Sequence, residues 1–271
     1  MTPKPLILIT NDDGIHSPGL RAAAQAVADL GELLIVAPSR QQTGASRSYP
    51  KHDFREITRL QLTLNGSDYP AFTADISPAM AVALGYLKLA ARPIDLVISG
   101  INYGENIGTG VTISGTVGAA IEAACYGLPA LAMSLETPME FHLNHSETVD
   151  FSVAGHFTRY FAQKILADGL PAGVDMLKVD VPAGATPETP WQVGRVSRQR
   201  YYETPTQITT TDQSGGGFSY HIKVHHDTLE TDSDVRIFAV AKQVAVVPMT
   251  IDLTAPVALP DVARFFGNGH Q

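Results

Sequence analysis

Two adjacent carboxylates, Asp12 and Asp13, stand in the stretch Leu6-Ile7-Leu8-Ile9-Thr10-Asn11-Asp12-Asp13-Gly14-Ile15-His16-Ser17-Pro18-Gly19. Neighbouring carboxylates repel unless something positive lies between them, and a hard cation such as Mg²⁺ or Mn²⁺ suits oxygen ligands. An exposed turn with one acid capping the next helix has the same composition, so these residues alone leave both readings open. A second stretch, from Gly100 to Gly118, is dominated by glycines and hydroxyls. Glycine lets backbone N–H groups approach and converge on an anion. A helix expected over about Thr116 to Tyr126 would turn its positive N-terminal end to the same place. The glycines do not match the dinucleotide fingerprint in spacing. A third stretch, Pro38 to Ser48, offers hydroxyls, amides and two arginines, as a ligand-facing loop or as an ordinary solvated one.

The elements that must position these groups alternate between strand and helix patterns. Leu6 to Ile9 reads as a short buried strand. Ser17 and Pro18 read as the N-cap and first turn of a helix over residues 18 to 30, with Leu20, Ala24, Val27 and Leu30 as its apolar stripe and Gly31 as its C-terminal cap. Leu33 to Ala37 is a second strand, parallel to the first by the βαβ rule. Both polar loops then open on the carboxyl edge of the sheet, where ligands bind in open α/β folds. Residues 56 to 73 read as an antiparallel excursion around the Asn65-Gly66 turn. Ser77-Pro78 starts a helix with Met80, Leu84 and Leu87 on its buried side. Further strands are expected at 94 to 99, 129 to 135, 176 to 181 and 244 to 249, and an amphipathic helix at 151 to 167. From about residue 183 the pattern changes: Gln192 to Tyr202 and Phe218 to His226 alternate as strands do, around a threonine- and glycine-rich stretch at 209 to 217. His142 and His145 fall in a polar loop, as ligands or as solvated side chains.

Length and composition narrow the classes. A chain of 271 residues holds one large α/β domain or one domain with an appendage. At 44% hydrophobic and 17% charged it is globular rather than disordered. A net charge of −8 argues against a nucleic-acid polymer as partner, without excluding a mononucleotide. Cys125 is the only cysteine, so neither an intrachain disulfide nor a cysteine zinc cluster forms. No apolar run of about 18 residues and no signal-peptide pattern is present, so no membrane partner and a cytoplasmic location are expected. A response-regulator receiver is disfavoured because Ile94 to Ile98 ends in Ser99-Gly100 rather than in a phospho-accepting aspartate. A dinucleotide oxidoreductase is disfavoured because Asn11-Asp12-Asp13-Gly14 stands where its glycines belong.

Several motifs recur in one order: Thr10-Asn11-Asp12-Asp13-Gly14-Ile15-His16-Ser17-Pro18-Gly19, Val36-Ala37-Pro38-Ser39-Arg40, Thr43-Gly44-Ala45-Ser46, Ser99-Gly100-Ile101-Asn102, Gly104 with Asn106, and Ser114-Gly115-Thr116-Val117. The tail adds Val246-Val247-Pro248-Met249 and Asp252-Leu253-Thr254. On these the chain resembles the SurE family, stationary-phase survival proteins that are metal-dependent nucleoside-monophosphate phosphatases. The resemblance covers most of the chain. It implies an α/β fold with a Rossmann-like three-layer αβα core and a mostly parallel sheet over residues 1–182. Residues 183–271 would form a β-rich C-terminal extension that exchanges between subunits of a homodimer or homotetramer.

The same resemblance implies one divalent cation per subunit, Mg²⁺ or Mn²⁺, held by Asp12, Asp13, Thr43 and Asn102. Asp12, Asp13 and Asn102 would carry catalysis, and Asn106, Ser114, Gly115 and Thr116 would hold phosphate oxygens. Asn11 and His16 are either supporting residues or local turn chemistry. The implied substrate is a nucleoside 5′-monophosphate, with 3′-monophosphates and short polyphosphate left open. The chain departs from the family in two places. Thr43 stands where serine is usual, keeping the hydroxyl but adding a methyl that restricts χ1. Ser77-Pro78-Ala79-Met80 stands where a Thr-Pro-x-Asp run is common. The competing reading is a non-catalytic, stress-associated oligomer with a vestigial metal site.

Overall fold

A computed structural model describes residues 3–50, 56–142, 146–203 and 220–267. The stretch at 209 to 217 and His145 lie outside the described residues. All five residues of β1 (Leu6–Thr10) are buried, as an apolar run in mid-sheet requires. It leads to α1 (Pro18–Val27), β2 (Glu32–Pro38) and the hairpin β3 (Thr58–Leu64) and β4 (Ser67–Ala74). Asn65 and Gly66 both have positive φ, the backbone that a two-residue hairpin turn demands. Then come α2 (Pro78–Leu84), β5 (Leu96–Tyr103), α3 (Gly115–Cys125), β6 (Ala130–Leu135), α4 (Ser152–Asp168) and β7 (Met176–Val181). The last part holds β8 (Trp191–Val193), the two-residue strands β9 (Tyr202–Glu203) and β10 (His221–Ile222), β11 (Val244–Met249) and α5 (Leu259–Phe265).

The main sheet has nine strands in the order β3-β4-β2-β1-β5-β6-β7-β11-β8. From β4 to β7 every neighbouring pair is parallel, while β3 and β11 join antiparallel. Side-chain alternation divides the core between two faces. Ile7, Ile9, Ile35, Ile98 and Met133 pack with Leu20 of α1 and with Phe157 and Phe161 of α4. Leu6, Leu8, Val36, Val97 and Ala132 pack with Val82 of α2 and with Val117 and Ala120 of α3. The result is the expected α/β arrangement of helix, sheet and helix layers. A smaller cluster of Ile107, Tyr201, Leu229, Val235, Ile237, Phe238 and Ala245 joins the 104–112 loop to the later part of the chain.

Four local expectations are corrected. The first helix stops at Val27, and Gly31 has no left-handed backbone. It is small because a Cβ there would stand 2.5 Å from the Pro5 carbonyl. Leu87 is 68% exposed: α2 ends at Leu84 and the following turn swings it outward. The glycine-rich stretch does not start as loop at Gly100, because β5 runs to Tyr103 and re-registers with β6 between Ser99 and Asn102. The alternation at 192 to 202 and 218 to 226 yields only β8, β9 and β10 among the described residues, since most of those residues are held by long-range loop contacts instead of ladders.

Candidate active site

β1 pairs with β2 on one side and β5 on the other, so the chain leaves β1 in both directions and a crevice opens at the carboxyl ends of these strands. Asp12 and Asp13 follow β1 directly into it. Asn11 closes the turn: its Nδ2 donates to the Gly14 carbonyl, and its Oδ1 accepts the Gly14 N–H. Asn11 is thus turn chemistry here, and His16 is exposed. Ser17 holds the N-cap position, but its hydroxyl makes no capping bond.

Asp12 is buried, and its Oδ1 accepts a 2.5 Å hydrogen bond from the Thr116 hydroxyl. Burial pushes its pKa up to about 6 against the Thr116 bond, which pulls the other way. Gly115 makes this approach possible, since a Cβ there would lie 2.6 Å from the Asp12 Cβ and 2.8 Å from Oδ2. Asp13 is fully buried, accepting from Gln41 Nε2 at 3.1 Å and from the Tyr103 N–H at 3.4 Å. Burial and then the neighbouring Asp12 charge raise its carboxyl well above the ordinary range. Two buried acids that resist ionising side by side are an electrostatic cost built into the site.

The loop after β2 is tied across this pair. The Gln42 N–H donates to the Asp12 carbonyl at 2.7 Å, and the Ile15 N–H donates to the Pro38 carbonyl at 2.8 Å. Further along, Ser46 bonds the Ile113 and Thr112 carbonyls. Arg47 and Tyr49 both reach the buried Glu122 of α3, each at 2.5 Å. Thr43 is thereby carried to the wall of a cavity of about 480 Å³, a size usual for small-molecule sites. Asn102, at the end of β5, donates its Nδ2 to the Tyr103 and Gly104 carbonyls, which leaves its amide oxygen for a ligand.

That cavity brings Asp12, Thr43, Asn102, Asn106 and Ser114 together. Asp13, Gly115 and Thr116 do not line it. Asp13 sits beneath, with Thr116 behind Asp12. Ser114 caps α3 by accepting the Val117 N–H, so its own hydroxyl proton remains available. Asn106 spends one Nδ2 hydrogen on Ser134 and has a second. Other residues of the wall were not anticipated: Glu105, Arg200, Tyr202 and Tyr220. Glu105 is buried and accepts from the Tyr202 hydroxyl at 2.5 Å, and burial lifts its pKa to about 7. His142 also lies in the wall, its pKa lowered by burial. Among the described residues no group of three or more His, Cys, Asp or Glu could hold a metal ion, so acids alone do not make a cation site here.

A doubly wound α/β protein with buried carboxylates and oxygen-bearing loops at its switch point is a small-molecule or phosphate-site protein by class. Comparison gives the particular family: a family model described as Survival protein SurE matches residues 7–203, and the chain belongs to the SurE family. The protein named 5′-nucleotidase SurE from Thermococcus kodakarensis is 39% identical over 258 residues, spanning 95% of this chain and 97% of that protein. The one from Methanocella arvoryzae is 41% identical over 257 residues, spanning 92% and 93%. The crystal structure of SurE protein from Aquifex aeolicus superposes with a TM-score of 0.75 at 28% identity, covering 97% of this chain and 100% of that one.

Proposed function

We propose that the chain is a divalent-metal-dependent 5′-nucleotidase, hydrolysing nucleoside 5′-monophosphates to nucleoside and phosphate. The observation that carries this is the placement of Asp12, buried against Gly115 and Thr116 yet in the wall of a cavity that also holds Asn102, Asn106 and Ser114. The relatives named 5′-nucleotidase SurE support it over nearly their whole length. The donors fit a hard cation: Asp12, the Asn102 amide oxygen and the Thr43 hydroxyl bring oxygen donors to the cavity wall, and the repulsion between Asp12 and Asp13 beneath it favours a positive ion. When bound, Mg²⁺ or Mn²⁺ polarises a phosphoryl oxygen and makes water a better nucleophile.

The chain's own residues do the rest. Thr116 fixes the Asp12 carboxylate and opposes its protonation. The free Ser114 hydroxyl proton and the second Asn106 amide hydrogen donate to phosphate oxygens from the cavity wall as charge shifts among them, with the positive N-terminal end of α3 behind Ser114. Arg200, Tyr202 and Tyr220 give the nucleoside a cation and two rings whose centroids lie 5.6 Å apart. The phosphate-facing donors do not distinguish 5′ from 3′ esters by type, so 3′-monophosphates and short polyphosphate belong in the substrate panel.

We assign residues 1–182 to the catalytic core and 183–271 to an arm that meets a second copy in a homodimer or homotetramer. Support comes from the arm's end: α5 buries none of its residues, and Leu253, Leu259, Phe265 and Phe266 are exposed. No helix among the described residues is long and apolar enough to cross a membrane. The test of function is phosphate release from nucleoside 5′- and 3′-monophosphates and short polyphosphate with Mg²⁺, Mn²⁺ or EDTA. Metal-dependent release from 5′-monophosphates, abolished by EDTA, is expected. Absence of release with both metals from folded protein overturns the reading.

A further inference from the structure

Three ionisable groups lie fully buried outside the cavity, two on β7 and one, Asp234, in the segment that precedes β11. Lys178 and Asp180 are two apart on the strand, hence on one face, and both are 0% exposed, as is Asp234. Lys178 Nζ bridges the two acids, 2.5 Å from Asp180 Oδ2 and 3.2 Å from Asp234 Oδ2. One cation faces two carboxyl groups in the core, and burial raises the Asp180 pKa against the pull of Lys178. Apolar residues of the same volume would pack there at lower cost, so packing alone does not account for the cluster.

The remaining oxygen atoms explain it better. Asp180 Oδ1 accepts the Asn106 N–H at 2.7 Å. Asp234 Oδ2 accepts the Gly108 N–H at 3.2 Å, and its Oδ1 accepts the N–H groups of Ser197 and Val235 at 2.9 and 2.8 Å. Two N–H groups of the glycine-rich loop therefore hang from the two carboxylates that Lys178 holds together. Ser134, paired with Asp180 across β6 and β7, fixes the Asn106 side chain at 2.9 Å. Asn106 is thus held by backbone and side chain from adjacent strands while it lines the cavity. Burial works against a charged Lys178, but the two carboxylates outweigh it and keep the ammonium protonated.

The geometry points to Lys178, Asp180 and Asp234 as a buried positioning centre that sets the Asn106–Gly108 loop for its ligand and couples the later chain to the site. This rests on the nucleotidase reading only for its kinetic consequence. Lys178→Met would leave two carboxylates buried together without their cation. Asp180→Ala would remove the Asn106 acceptor. The double variant Lys178→Met/Asp180→Asn would leave Asp234 as the one remaining carboxyl group of the cluster and restore an acceptor for the Asn106 N–H.

Two readouts on the full chain test the assignment. The first is amide hydrogen exchange at Asn106 and Gly108 in metal-free protein. The second is kcat and KM for phosphate release from a nucleoside 5′-monophosphate with Mn²⁺. Each single variant is expected to speed exchange at Asn106 by about tenfold or more. Each is also expected to lower kcat/KM by about 100-fold, mostly in kcat, as for an ångström-scale misplacement. The double variant is expected to recover both to within about tenfold of wild type. Folded single variants with wild-type exchange at both amides and kcat/KM within about twofold would overturn the assignment. If Lys178→Met does not fold, the double variant decides: a protected Asn106 amide supports the centre, and an unprotected one with wild-type kinetics overturns it. If wild type itself releases no phosphate, the nucleotidase reading fails, and the exchange comparison still decides the positioning claim.

Discussion

At the scale of single residues, the site is governed by the cost of burying Asp12 beside Asp13. The Asp12 pKa rises from 3.8 to about 6 on folding. Between those values the folded state binds the extra proton, so metal-free protein loses stability as pH rises from about 4 to about 6, by roughly 3 kcal/mol. Thermal melts in EDTA should show a larger loss in wild type than in Asp12→Asn, where buried Asp13 still holds its proton above the ordinary range. Added Mn²⁺ should raise the wild-type midpoint more at pH 7.5 than at pH 5, because the cation competes with protons for the carboxylates. Gly115→Ala places a methyl 2.6 Å from the Asp12 Cβ and is expected to cost about 1–3 kcal/mol with a large loss of activity, checked by melting and phosphate release. Asp12 and Asp13 were legible in the sequence because a strand, two acids and a helix start follow one another directly. Glu105, Tyr202 and Tyr220 were not, since an acid in a loop and tyrosines about a hundred residues away carry no local mark of convergence.

At the scale of elements, the loop after β2 stays over the cavity because Arg47 and Tyr49 are anchored on Glu122 of α3. Glu122→Ala removes both anchors. Arg47 reaches water, its side chain being 44% exposed, so the loss of stability is expected at the low end, about 1 kcal/mol. Looser placement of Thr43 should weaken Mn²⁺ binding about tenfold, as calorimetric titration would measure. Unchanged Mn²⁺ affinity would show that the anchor does not serve the site. The strands of the core were legible as apolar runs, and the hairpin as Asn65-Gly66. The end of β5 was not, because Gly100 and Asn102 are loop-forming residue types that the neighbouring β6 draws into a ladder. In Met176-Leu177-Lys178-Val179-Asp180-Val181, charges two apart in a buried strand were a signal for the positioning centre. The partner Asp234 is local to nothing in that stretch and could be found only in three dimensions.

At the scale of the whole molecule, the later chain reaches the site through Asp234 and Tyr202, and its last described residues expose apolar side chains. Leu253 is 92% exposed and Phe265 83%, surface that a second copy would cover. Light scattering should give a multiple of the 29.0 kDa chain mass. Phe265→Ser with Phe266→Ser should shift it toward the single chain, and an unchanged multiple would place the contact elsewhere. The core layers and β11 were readable from periodicity, but the short strands β8, β9 and β10 were not, because they are fixed by contacts over long sequence distances. The most direct measurement of the whole account is phosphate release from a nucleoside 5′-monophosphate with saturating Mn²⁺ by wild type and Asp12→Asn. A folded Asp12→Asn should lose at least about 100-fold in kcat, and EDTA should abolish the wild-type rate. Equal rates from the two proteins, or a wild-type rate indifferent to EDTA, would contradict a metal-dependent nucleotidase centred on Asp12.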